Sequence, residues 1–274
     1  MKEILLEEAT SLRINLLREF DKVCKEHGLK YSLGYGTLLG AVRHKGMIPW
    51  DDDVDLVMPR SDYDRLCNIY GDPHQTQRYQ LVNHRNHPEV ETRISYFNDF
   101  STITEIAGEM LEYRGVHIDI YPLDVVPNDD TKKKKLVSKR QKLQKNIKYR
   151  GIHPELFHGV QKFGRILVKC FYSFISNDSI YDELNSVSKT YADLSLEEGS
   201  QVACLVEGGG LQAFDRKVLD KYRLYQFGED EFMGVEDFDK PLKAWYGDYM
   251  TPPPVEQQKV PESQWVRHFY KDDE

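Results

Sequence analysis

The chain is poor in cysteine: its four, Cys24, Cys67, Cys170 and Cys204, lie far apart and form no CxxC pair. Neither a zinc knuckle nor a disulfide framework is expected, and the thiols read as reduced ones in a cytosolic protein. A surplus of positive charge is missing too. With 37 Lys and Arg against 45 Asp and Glu, the formal net charge is -8, which argues against a protein that grips a nucleic-acid polymer but is compatible with a nucleotide-sized ligand. No long hydrophobic run is present. The longest, Ile166 to Ile175, is broken by Lys169 and falls short of the roughly 20 residues that cross a bilayer. The first residues, Met1-Lys2-Glu3-Ile4-Leu5-Leu6-Glu7-Glu8, are acidic where a secretory signal is basic and then apolar, so no export is expected. There is no internal repeat. Hydrophobic residues at 40% and charged residues at 30% exclude a disordered or fibrous chain. The 274 residues suffice for one large domain or two small ones packed together.

Apolar residues Leu5, Leu6, Leu12, Leu16, Leu17, Phe20 and Val23 recur at helical spacing and Gly28 follows, which predicts an amphipathic helix over 4–27. Tyr31 to Tyr35 reads as a strand, Gly36-Thr37 as a turn, and Thr37 as the cap of a helix to Arg43. Asp53 to Met58 reads as a strand ended by Pro59, with Ser61 capping a helix to Tyr70. Further strands are expected at 80–82, 93–97, 103–106 and 116–121. These elements predict an α/β core over 1–127. Residues 128–274 form a second region, mostly helical in pattern, that opens with a basic run. From Thr131 to Arg150 there are ten Lys and Arg and no acid. Gly208-Gly209-Gly210 reads as a flexible break and Tyr249-Met250-Thr251-Pro252-Pro253-Pro254 as a rigid extended one.

The aspartates carry the chemistry. On a strand, Asp53 and Asp55 point to one face while Val54 and Leu56 point to the other. Two carboxylates side by side repel, and the arrangement calls for a cation; magnesium suits oxygen ligands, with manganese as the alternative. Val116-His117-Ile118-Asp119-Ile120-Tyr121 has the same alternation, which makes Asp119 the third acid if the two strands are neighbours. A glycine turn opening a helix, as at Gly36, offers bare N–H groups to a phosphate.

The run Gly36-Thr37-Leu38-Leu39-Gly40-Ala41-Val42-Arg43-His44-Lys45-Gly46-Met47-Ile48-Pro49-Trp50-Asp51-Asp52-Asp53-Val54-Asp55 closely resembles the signature of the LicD family. His117 to Asp124 and Tyr246 to Pro253 resemble further family elements. The resemblance implies a nucleotidyltransferase-like mixed β-sheet core flanked by helices, with a mostly helical C-terminal part. It implies transfer of phosphocholine, or a similar phospho-alcohol, from CDP-choline or another CDP-alcohol to a hydroxyl of a cell-surface glycan. Teichoic acid, lipopolysaccharide or capsule would be the acceptor, free or lipid-linked, and CMP the product. Asp53, Asp55 and Asp119 then stand as catalytic and metal-binding acids, and Gly36 and Thr37 take the place of the family's glycine-serine turn. The cysteine cluster of the fukutin-type relatives has no counterpart, which favours a bacterial-type enzyme.

Arg43 and His44 end the helix after the turn, where a cation could reach phosphates or that helix's own C-terminus. Trp50, with Trp245, Tyr246 and Tyr249, offers aromatic faces for a cationic headgroup; Trp50 alone gains from its position beside the acids. The basic run suits an anionic membrane surface or an anionic polymer, or else a solvated helix face. A cytoplasmic protein, peripheral at the inner face of the membrane, is the corresponding expectation.

Overall fold

The structure is a computed structural model that describes residues 1–272 apart from 73, 75, 89, 91, 107, 151–158, 173–176, 207–209 and 260–265. The break expected at Gly208 and Gly209 lies outside these residues. In chain order the elements begin β1 (Glu3–Ile4), α1 (Leu6–His27), β2 (Ser32–Leu33), α2 (Tyr35–Arg43), β3 (Asp55–Pro59) and α3 (Arg60–Ile69). Next come β4 (Tyr79–Val82), β5 (Ser95–Asp99), β6 (Thr102–Ile106), β7 (Glu109–Leu111) and β8 (His117–Val126). Three helices follow, α4 (Asp130–Arg150), α5 (Gly159–Tyr172) and α6 (Asn177–Lys189). The chain then forms β9 (Gln201–Ala203), β10 (Phe214–Asp215), β11 (Tyr222–Phe227), β12 (Asp230–Val235), α7 (Asp239–Tyr246) and β13 (Val266–Tyr270). The class is mixed α/β, as the pattern predicts.

Helix α1 buries Leu16, Leu17 and Phe20 of the predicted stripe together with Cys24, whereas Leu5 and Leu6 at its start are exposed. It stops where Gly28 takes φ +59°, a left-handed conformation that a Cβ would disfavour. Behind it lies a seven-stranded sheet centred on β3 and β8, which run parallel with Asp55 opposite Asp119 and Pro59 opposite Leu123. The two acid-bearing strands are therefore neighbours, the condition on which the sequence makes Asp119 the third acid.

Strand β8 serves two neighbours on its other edge. Its first half pairs antiparallel with β5 from His117 to Ile120, and its last residues, Asp124 to Val126, pair with β9. Pro122, which has no N–H to give, falls at the changeover. Just past it, Asp124 is fully buried and takes a two-pronged ion pair from Arg60 at the start of α3, 2.6 Å from Nε and 3.0 Å from the second nitrogen.

The C-terminal region is less helical than its sequence pattern suggests. After α6 the described residues hold one further α-helix, α7, and β9, β10 and β13 join sheets begun by the first half of the chain. β9 extends the central sheet, and β13 lies between β1 and β6 in a separate four-stranded sheet. The β11–β12 hairpin docks on β2, where the Val235 N–H donates to Ser32 Oγ at 3.0 Å. No helix among the described residues is long and apolar enough to cross a membrane.

Candidate active site

Strand β3 begins at Asp55, two residues later than the sequence pattern predicts, so alternation along a strand is not what relates Asp53 to Asp55. The acids instead come from a turn feeding into the strand. The Asp51 N–H donates to Ile48 O at 2.9 Å, folding the segment back so that Asp51, Asp52 and Asp53 place ligand oxygens within 4.8 Å of one another. Asp55 is buried and in register with Asp119. The Asp119 N–H donates to Val54 O at 2.8 Å, which draws the second strand up to the end of the acidic turn.

Helix α2 abuts this turn. It starts at Tyr35 with Gly34 in the cap position, so Thr37 is not its cap. Thr37 is buried within the first turn and its Oγ1 accepts the Asp55 N–H at 2.8 Å, tying helix to strand. Gly36 has a different duty: a Cβ there would collide with the Asp51 carboxylate. Tyr35 takes φ +40°, an unfavourable backbone for a tyrosine. Its ring lies 5.0 Å from Tyr121 and 4.3 Å from Trp245, centroid to centroid. The Tyr121 hydroxyl in turn donates to Asp119 Oδ2 at 3.3 Å.

The electrostatics follow from this crowding. Burial, then the charge of Asp53, pushes Asp51 up to about 7, and the same two causes in the same order push Asp119 up to about 7. Asp52 is raised by burial and by Asp53. Two arginines answer the acids. Arg13, from the buried face of α1, feels Asp52, Asp53 and Asp119 although burial lowers its own pKa; Arg114 lowers Asp119. Arg13 is only 8% exposed, and one of its terminal nitrogens has no hydrogen-bond partner. The other lies 3.4 Å from His268 Nε2 on β13, whose Nδ1 is 2.9 Å from Thr104 Oγ1. His268 is depressed to about 4 by burial and then by Arg13, so it is neutral. His117 is depressed well below its usual range by burial and then by Arg114. Its Nδ1 donates to Gly115 O at 2.8 Å, and Nε2 faces Asp119 Oδ1 at 3.6 Å. With Nδ1 carrying the proton, Nε2 and the carboxylate are both acceptors, an arrangement that a cation or a proton reconciles.

The donor set is therefore all carboxylate oxygen, crowded enough to hold two acids near neutrality, and it fits a hard divalent cation such as magnesium or manganese. Arg43 and His44 sit at the opposite end of α2, about 10 Å from Gly36 along the axis. Arg43 donates to His44 Nε2 at 2.9 Å and to Tyr249 O at 2.8 Å. The His44 ring meets Trp50 edge-on at 5.8 Å, so these three residues form one group adjoining the acidic turn. Arg13, Arg114 and His268 were not singled out from the sequence. An arginine on an amphipathic helix and a histidine on a short strand carry no local signal, and only the pairing of β13 with β6 shows why they matter.

Carboxylates gathered where two parallel strands begin, against a helix that opens with glycine, define a phosphate-handling centre of the nucleotidyltransferase type. Residues 28–161 match the family described as LicD/FKTN/FKRP, nucleotidyltransferase domain, so the chain carries a LicD-family domain. It is 27% identical over 273 residues to the lipopolysaccharide cholinephosphotransferase LicD of Haemophilus influenzae, covering 94% of this chain and 96% of that protein. An uncharacterised protein of Rickettsia prowazekii is 43% identical over 54 residues, 20% of each chain. One of Rickettsia typhi is 43% identical over 47 residues, 17% of this chain and 15% of that one. The matched domain contains every acid of the site, whereas Arg13 and His268 lie outside it.

Proposed function

We propose that the protein is a LicD-type transferase that moves phosphocholine, or a similar phospho-alcohol, from a CDP-linked donor to a hydroxyl of a cell-surface glycan and releases CMP. The observation that carries this reading is the carboxylate group of Asp51, Asp52 and Asp53, next to Asp55 and Asp119 in register on neighbouring strands, within the family's nucleotidyltransferase domain. Likeness along nearly the whole chain to a lipopolysaccharide cholinephosphotransferase supports the cargo and the acceptor class.

Asp53 and Asp55 are the carboxylates that would hold a magnesium ion, with Asp119 completing the set. Such an ion, when bound, supplies positive charge to the donor's diphosphate. The protein's own cations act beside it: Arg13 and Arg114 draw the phosphates toward the acids and offset the charge that builds on the leaving nucleotide. Thr37 holds α2 against Asp55, fixing the helix start next to the reacting groups. The half-buried rings of Tyr121, which bonds Asp119, and Tyr35, which packs on Tyr121 and on the buried Trp245, offer faces to a quaternary ammonium headgroup. Trp50 and the pair of Arg43 and His44 border the other side of the acidic turn.

The test is product analysis by mass spectrometry, with purified protein, magnesium and a panel of CDP-alcohols, with and without candidate glycans. Acceptor-dependent CMP is expected from one donor, and Asp53→Asn and Asp55→Asn should each abolish it. Pyrophosphate from CTP and an alcohol phosphate, with no CMP from any donor, would instead identify a nucleotidyltransferase that activates the alcohol.

A further inference from the structure

We propose that the helix pair α4–α5 is a docking surface for an anionic lipid bilayer. Helix α5 is amphipathic in the wrong sense for a core helix. Phe163, Ile166, Leu167 and Cys170 fall at positions i, i+3, i+4 and i+7, one face of a helix, and all four are exposed: Phe163 66%, Leu167 58% and Ile166 38%. Val168 and Lys169, on the other side, are the half-buried ones. The apolar stripe thus faces solvent, the reverse of what burial in a globular protein requires.

The occupant is indicated by charge. Helix α4 packs against α5. It begins where Asp129 accepts the Lys132 N–H at 2.7 Å and turns Leu136, Arg140, Leu143 and Gln144 inward. The outward positions are held by Lys134, Lys135, Lys142 and Lys145, all exposed. Lys139 is engaged with Glu183 of α6 at 3.1 Å. A phenylalanine and aliphatic stripe beside a row of lysines matches both parts of an anionic membrane surface, the acyl boundary and the phosphate layer. A water-soluble polyanion would satisfy the lysines and leave the stripe uncovered. A second copy of this chain would cover the stripe while bringing two lysine rows together.

The test uses the full chain and needs no donor or acceptor, so its failure is distinct from failure of the transferase reading. Co-sedimentation is measured with vesicles of phosphatidylcholine alone and with about one third phosphatidylglycerol. A fluorophore on Cys170, the exposed one of the four thiols, reports whether the stripe enters the bilayer. Binding to the anionic vesicles with a blue shift of the label is expected. The double variant Phe163→Glu/Leu167→Glu and the variant Lys134→Glu/Lys135→Glu/Lys142→Glu should each weaken partitioning at least about tenfold. Unchanged circular dichroism and unfolding temperature confirm that both variants are folded; these are surface changes. Three results overturn the proposal: no vesicle binding by the parent chain, binding that survives both variants, or a dimer in light scattering that Phe163→Glu/Leu167→Glu dissociates. Binding to an anionic glycan polymer but not to vesicles would also overturn it.

Discussion

Replacing Asp119 by asparagine should make the protein more stable and inactive at once. The carboxyl titrates near 3.8 in a free chain and near 7 in the folded one, because burial and Asp53 disfavour its charged form. With the folded value above the unfolded one, the native state holds the extra proton between these limits. Stability is therefore fully present below the lower limit, falls as pH rises through the window, and is lowest once the folded carboxyl has ionised. At about 1.4 kcal/mol for each tenfold change in proton affinity, the ionised carboxylate costs about 4 kcal/mol, a ceiling that water entering the site reduces. Asparagine keeps the shape without the charge. In EDTA at pH 8, Asp119→Asn should unfold up to about 8 °C above the parent chain, given about 2 °C per kcal/mol for a chain of this size, and its stability should vary less between pH 5 and 8. Magnesium should raise the parent's midpoint and leave that of Asp119→Asn nearly unmoved. The assay is thermal unfolding followed by circular dichroism across that pH range. An Asp119→Asn protein no more stable than the parent in EDTA at pH 8, or an equal response of both to magnesium, would refute the reasoning.

Other perturbations separate support from chemistry. Arg13→Gln should lower kcat/KM for the nucleotide donor at least about tenfold, with little change in unfolding by urea; an unaltered kcat/KM would remove Arg13 from phosphate binding. Gly36→Ala presses a methyl against the Asp51 carboxylate and should reduce turnover and magnesium affinity together, measured by steady-state kinetics and metal titration; parental values for both would show that the contact is dispensable. Arg60→Met leaves Asp124 buried without its ion-pair partner and should cost about 3–5 kcal/mol in urea unfolding, much of it recovered by the double variant Arg60→Met/Asp124→Leu.

The first half of the molecule is legible residue by residue. Helix α1 follows from its 3.6-residue stripe and its glycine stop, and alternation marks Asp55 and Asp119 as acids of two strands, whereas the pairing that puts them in register is a tertiary contact the sequence leaves open. What alternation could not supply is the turn at Asp51 to Asp53, which is closed by the Asp51 N–H on Ile48 O and seats the Asp51 carboxylate against Gly36. The cap assigned to Thr37 failed for a related reason: its hydroxyl is recruited by the Asp55 N–H, a partner 18 residues away. In the second half, the β11–β12 hairpin is hidden from a periodicity reading because its buried residues, Tyr225, Phe227, Phe232, Gly234 and Val235, are few and its exposed ones, Arg223, Leu224, Gln226 and Glu231, include an apolar residue that breaks the alternation. The turn at Gly228, with φ +65°, is the local signal that could have found it. Strand β13 has no such mark; five residues rich in aromatic and basic side chains become a strand because β1 and β6 leave a slot between them.

That slot also governs when the site can exist during synthesis. β13 is the inner strand of its sheet, pairing Phe269 with Glu3 on one side and Ile103 on the other, and it carries the histidine beside Arg13. A ribosome that has delivered the whole family-matched domain has delivered all the acids but not this strand, so Arg13 waits without its neighbour and two sheet edges stay open. The chain should collapse early around α1 and β3 yet become competent only after β13 has emerged, which makes the interval before that strand pairs the one in which a chaperone matters most.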